Sequence, residues 1–172
     1  IKDSFVDSLI SLADRDLDYV FVEASGLADP SSISSILDQI RTLSGASYDY
    51  CGAVCLVDAL YFPKYLKLLL ALRRQVEYSR AVILNKTDLV DEEQLSQVEA
   101  SIREINPKAA IHRSTYARVS LRAILSEGAP GEAAARETSN TESSRPVTVT
   151  LSTAEAVSPE ALRRFLENIA PA

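Results

Sequence analysis

No glycine in this 172-residue chain is followed by lysine, so the phosphate-cradling Gly-x-x-x-x-Gly-Lys-Ser/Thr loop is missing. The five glycines (26, 45, 52, 128 and 131) cannot form a Gly-x-Gly-x-x-Gly turn either, which excludes the dinucleotide fingerprint. Methionine is absent, so the chain does not start at its own initiation codon and reads as a fragment. Two cysteines are too few for a disulfide framework. Their Cys51-x3-Cys55 spacing allows a metal site, but Cys55 lies inside an apolar run, where a free cysteine packs as a small hydrophobe. The single histidine, His112, has no ligand-spaced partner. No apolar stretch reaches membrane-spanning length and no signal peptide opens the chain. The net charge of −6 and the lack of a long basic run argue against a nucleic-acid partner. The expectation is a soluble cytoplasmic chain that engages neither membrane nor nucleic acid.

What is present is core material. The 47% hydrophobic content suffices for one sizeable domain, with room for part of another. Residues 3–14 carry Phe5, Leu9 and Leu12 beside Val6, Ile10 and Ala13, a helical spacing. Asp18–Glu23 is a short, nearly all-apolar run, the mark of a strand covered on both faces. After a break at Gly26–Pro30, Ile33, Ile36, Leu37, Ile40 and Leu43 repeat at helical intervals, with Ser31 or Ser32 as caps. Ala53–Val57 predicts a second strand. A leucine-rich helix over Pro63–Tyr78 follows, apolar on more than one face. Ala81–Leu84 predicts a third strand. Asp91 and Gln94 stand as a capping box for the next helix, which Asn106-Pro107 stops. Ala109–Arg113 predicts a fourth strand and Leu121–Leu125 part of a helix.

Strands alternating with helices imply an α/β fold with a parallel sheet and helices on both sides, a three-layer arrangement. Residues 1–125 form this partial domain. Residues 126–145, mostly small and polar, have almost nothing to bury and read as a flexible linker. In 146–172, the run Val147–Leu151 predicts a strand. Ser158-Pro159 opens a helix carrying Leu162, Phe165, Leu166 and Ile169. This reads as the beginning of a small α+β second domain.

Two segments carry chemistry. The strand-like run Val20-Phe21-Val22 ends in Glu23-Ala24-Ser25-Gly26-Leu27-Ala28-Asp29-Pro30, and Val82-Ile83-Leu84 ends in Asn85-Lys86-Thr87-Asp88. In an open parallel sheet, ligands bind beyond the carboxyl ends of the strands, so Glu23 and Asn85 are expected to face one crevice. A carboxylate at Glu23 suits a magnesium ion that bridges phosphate oxygens. Gly26 has no Cβ, so its N–H can approach a γ-phosphate closely. Glu23 and Gly26 are therefore the candidate catalytic pair. Asp88 can accept from guanine N1–H and from its exocyclic amine, and adenine would leave the carboxylate unpaired. Asn85 can bridge base and loops, and the stem of Lys86 can lie over the ring. Asp29-Pro30 and Asp58 read equally well as turn and cap residues.

These residues, together with Val57-Asp58-Ala59, Gln75, Ala81–Val90 and Ile105-Asn106-Pro107-Lys108-Ala109, resemble the CobW-type GTPases. Those proteins belong with the nickel-delivery proteins HypB and UreG. The resemblance covers about residues 1–125 closely. It implies a P-loop GTPase fold, GTP and Mg²⁺ as ligand and cofactor, and a metallochaperone or metal-insertion role. The metal is zinc or cobalt in different members, the partner is a metalloprotein client, and a homo-oligomer is allowed. The family's P-loop and its Cys-x-Cys-Cys metal motif would precede Ile1, and the linker here has no histidine-rich stretch. No transition-metal ligands are therefore expected in these residues, and the chain alone is expected to be inactive. The competing expectation is a non-catalytic interaction module that presents the leucine-rich surface of 63–78 to a partner.

Overall fold

The computed structural model describes residues 2–26, 28–126, 150, 152 and 156–169. Leu27, most of the expected linker and most of the expected strand at Val147–Leu151 lie outside the described residues. The chain begins with α1 (Lys2–Ala13) and α2 (Ile33–Ser44). Strand β1 (Ala53–Asp58) leads through the short helices α3 (Phe62–Leu66) and α4 (Leu70–Glu77) to β2 (Ser79–Asn85). Helix α5 (Glu92–Ile105) then connects to β3 (Ala110–Arg113), which is followed by α6 (Leu121–Ser126). A separate helix, α7 (Pro159–Ile169), comes last.

The sheet is parallel with order β1-β2-β3, so the α/β reading holds. Parallel neighbours need crossovers, and right-handed ones progressing in one direction put their helices on one face. Cys55 and Val57 of β1 and Val82 and Leu84 of β2 pack there against Phe62, Val76, Leu95, Val98 and Ile102. A fully buried valine or leucine contributes roughly 1.5–3 kcal/mol, which makes this cluster the main source of stability. On the opposite face Val54 and Leu56 remain 44% and 58% exposed. Of the two helical layers expected, the described residues pack one fully.

The α1–α2 pair forms a second cluster. Val6, Leu9, Ile36 and Ile40 are buried in it, and the Tyr48 hydroxyl donates to the Leu9 carbonyl at 2.6 Å. Gly45 ends α2 in the left-handed region (φ 74°), where glycine pays no Cβ penalty.

Three local expectations are corrected. The segment 18–23 joins no strand: among the described residues it has no ladder partner, and Tyr19, Phe21 and Val22 are exposed. A strand is made by its neighbour, and an apolar pattern without a partner backbone leaves its polar groups in water. The single helix expected over Pro63–Tyr78 breaks into α3 and α4 at Lys67–Leu69, where Leu69 is extended (φ −120°, ψ 105°). The break lets Leu66 and Leu72 both reach the core that holds Phe62 and Val76. Ser31 and Ser32 do not cap α2 with their side chains. Asp29 instead caps a 3-10 turn at Pro30–Ser32, accepting from the Ser31 N–H at 2.9 Å.

Candidate functional site

The carboxyl ends of β1 and β2 lie side by side, with Asp58 in register with Asn85. The Ala59 N–H donates to the Asn85 carbonyl at 2.9 Å, so the two strand tips are joined through the backbone. Lys86, next along, adopts the left-handed conformation (φ 61°), which turns the chain sharply into a 3-10 turn at Thr87–Leu89. A non-glycine residue there carries strain, which surrounding contacts must hold.

Those contacts come from two sides. The Lys86 ammonium meets Asp58 Oδ2 at 2.7 Å. Asp58 Oδ1 meanwhile accepts from the Leu60 and Tyr61 N–H groups at 3.0 and 3.2 Å. Partial burial works to raise the Asp58 pKa, but the hydrogen bonds from Lys86, Tyr61 and Leu60 outweigh it and hold the carboxyl below its ordinary range. The same ion pair raises Lys86. From the other side comes the loop after β3. Thr87 donates to the Ser114 carbonyl from both its N–H (3.2 Å) and its hydroxyl (3.1 Å). The Ala117 N–H donates to Asn85 Oδ1 at 2.8 Å. With that oxygen engaged, the amide nitrogen of Asn85 is the end left to donate to a ligand. Asp88, in the same turn, is exposed.

Asn85, Lys86 and Asp88 thus share one turn, braced by Asp58 and by 114–117. The loop 114–117 carries a site signal that the motif reading missed: it follows a parallel strand's carboxyl end, as the other two do. Within it the Ser114 hydroxyl is buried and has no hydrogen-bond partner among the described residues.

Glu23 and Gly26 are placed differently. Because 18–23 is not a strand, Glu23 does not stand at a strand end; it is exposed. Gly26 hangs from α4, where the Gln75 carboxamide donates to the Gly26 and Ala28 carbonyls at 3.0 and 2.9 Å. No hydrogen bond or ion pair among the described residues joins Glu23 or Gly26 to the Asn85 turn. One exposed carboxylate is a single ligand for magnesium, so the fit of these residues to the ion rests on Glu23 alone.

The two cysteines differ in environment. Cys51 is exposed and Cys55 is buried. Burial pushes the Cys55 thiol up to about 11, against a smaller lowering effect of a hydrogen bond with Ser79, so it stays protonated and a poor ligand near neutrality. Among the described residues no group of three or more His, Cys, Asp or Glu side chains could hold a metal, and no helix is long and apolar enough to cross a membrane.

The profile of the CobW/HypB/UreG nucleotide-binding domain matches residues 1–113. Zinc-regulated GTPase metalloprotein activator 1 of Dictyostelium discoideum is 48% identical over 54 residues, which cover 31% of this chain and 11% of that protein. Zinc chaperone YjiA of Escherichia coli is 25% identical over 123 residues, or 70% of this chain and 38% of that protein. The matched regions span well under half of either relative's length. No solved structure matches the chain significantly.

Proposed function

The chain belongs to the CobW/HypB/UreG family, and from that premise we propose that it supplies the base-recognition part of a GTP-hydrolysing metallochaperone. The observation that carries this reading is the braced Asn85–Asp88 turn, held by Asp58 on one side and by Ala117 on the other. A turn that keeps a strained lysine and an exposed carboxylate in fixed relation is arranged for a ligand rather than for the core.

In this reading Asp88 accepts from guanine N1–H and the exocyclic amine. The Asn85 amide nitrogen donates toward the base or its ribose, and the Lys86 stem lies along the ring. Glu23 holds Mg²⁺, which when bound neutralises phosphate charge, and the Gly26 N–H meets the terminal phosphate. Loss of that phosphate would release the Gly26 N–H, which makes this segment the switch. The relatives' names point to zinc as the metal delivered and to a metalloprotein as client; cobalt is the other candidate.

The test is a base swap in the full-length protein. Asp88→Asn is expected to weaken GTP binding at least tenfold and to improve xanthosine triphosphate, in which an oxygen replaces the amine. An unchanged preference in calorimetric titrations removes Asp88 from the site and the reading with it.

A further inference from the structure

Tyr116 is 80% exposed, more than any other large apolar side chain among the described residues. Tyr116 and Ala117 both have positive φ, 55° and 52°. Two such residues in succession cost on the order of 1–3 kcal/mol each, and persist only where the surroundings over-determine them. Here they do. The Ser114 N–H donates to the Leu84 carbonyl at 2.8 Å, Thr87 grips the Ser114 carbonyl twice, and Ala117 is pinned to Asn85. Folding gains little from the ring itself, which buries almost nothing. The loop spends strain to hold a bare aromatic side chain one residue, about 3.8 Å of backbone, from the amide that touches Asn85. The Arg118 guanidinium lies 6.0 Å from the ring centroid, over one face. Such a face-on cation leaves the other face for a second planar group.

We infer that Tyr116 is a stacking platform for the purine ring, backed by Arg118 and positioned by the Asn85–Ala117 bond. This rests on the guanine reading of the Asn85–Asp88 turn and adds a division of labour to it. Stacking tolerates any base, because every base has a π-face. Tyr116 therefore sets how tightly a purine nucleotide is held, whereas Asp88 sets which purine it is.

The full-length protein tests this with three variants, titrated by calorimetry with GDP and with inosine diphosphate, which lacks the exocyclic amine. Tyr116→Ala is expected to weaken both nucleotides by the same factor, about five- to one-hundred-fold, leaving their ratio unchanged. Tyr116→Phe keeps the ring and is expected to bind like the parent. Asp88→Asn is expected to change the ratio instead. The ring is solvent-exposed, so the Tyr116 variants are expected to unfold in urea as the parent does, which separates lost stacking from lost structure. If Tyr116→Ala binds both nucleotides within twofold of the parent while Asp88→Asn still alters their ratio, the platform is overturned and the guanine site stands. If the parent shows no preference between the nucleotides, or Asp88→Asn leaves it untouched, the guanine site falls and the platform falls with it.

Discussion

Asp58 serves three donors at once: the Leu60 and Tyr61 N–H groups through one oxygen and the Lys86 ammonium through the other. The sequence showed it as a turn or cap residue, and capping is half of its role. The other half was hidden because Lys86 is 28 positions away, and only the parallel pairing of β1 with β2 brings the two together. Asn85 and Lys86 were legible as a motif, but the left-handed turn that aims them was not, since nothing in a lysine announces φ 61°. Asp58→Asn keeps an oxygen for the two backbone donors and removes only the ion pair. Both side chains are partly in water (48% exposed for Lys86, 29% for Asp58), so solvent screening keeps the loss near neutral pH small. The folded Asp58 pKa is depressed, so its stabilisation is present above the unfolded value of about 3.9 and disappears as pH falls through the lower folded value. Urea unfolding of parent and variant should show a gap at pH 6 that narrows progressively as the pH falls below the unfolded value. A gap that persists in acid would mean that the pair is not what the substitution removed.

Among the elements, local chemistry was most readable where a residue acts on its own neighbours. The Asp91/Gln94 capping box forms at the start of α5, with the Asp91 carboxylate accepting from Gln94 N–H at 2.8 Å. All three strands with a ladder partner lie within two residues of where alternation and apolar runs put them. The fourth, 18–23, has the pattern but not the partner, and periodicity carries no information about who lies alongside. Asn106 is a similar case. It reads as a helix stop, yet its amide donates to the carbonyls of Val76, Glu77 and Ser79 while its oxygen accepts from Lys108 and Ala109 N–H. One side chain thereby ties the end of α5 to the junction of α4 and β2. Asn106→Ala leaves several of these groups in a buried position without partners and is expected to cost about 2–4 kcal/mol in urea unfolding. A loss below about 0.5 kcal/mol would show that water replaces the amide at no penalty.

At the scale of the molecule, stability is one-sided. Leu84 is fully buried on the helix-covered face of the sheet, whereas Leu56, one strand away, faces outward and is 58% exposed. In the 172-residue chain Leu84→Ala is expected to cost about 2–5 kcal/mol and Leu56→Ala less than about 0.5 kcal/mol. Comparable losses at both positions in urea unfolding would mean that the outward face is covered after all. The α1–α2 pair has its own buried cluster, and Gln75 of α4 holds the Gly26 turn that precedes α2. The outward flank of β1 carries a further consequence. Among the described residues no strand pairs with this edge, and the side chains of Val54 and Leu56 beside it are exposed, a template on which another polypeptide can lay itself down. A concentrated preparation of these 172 residues should therefore be sticky, and should clear on dilution rather than on a change of salt.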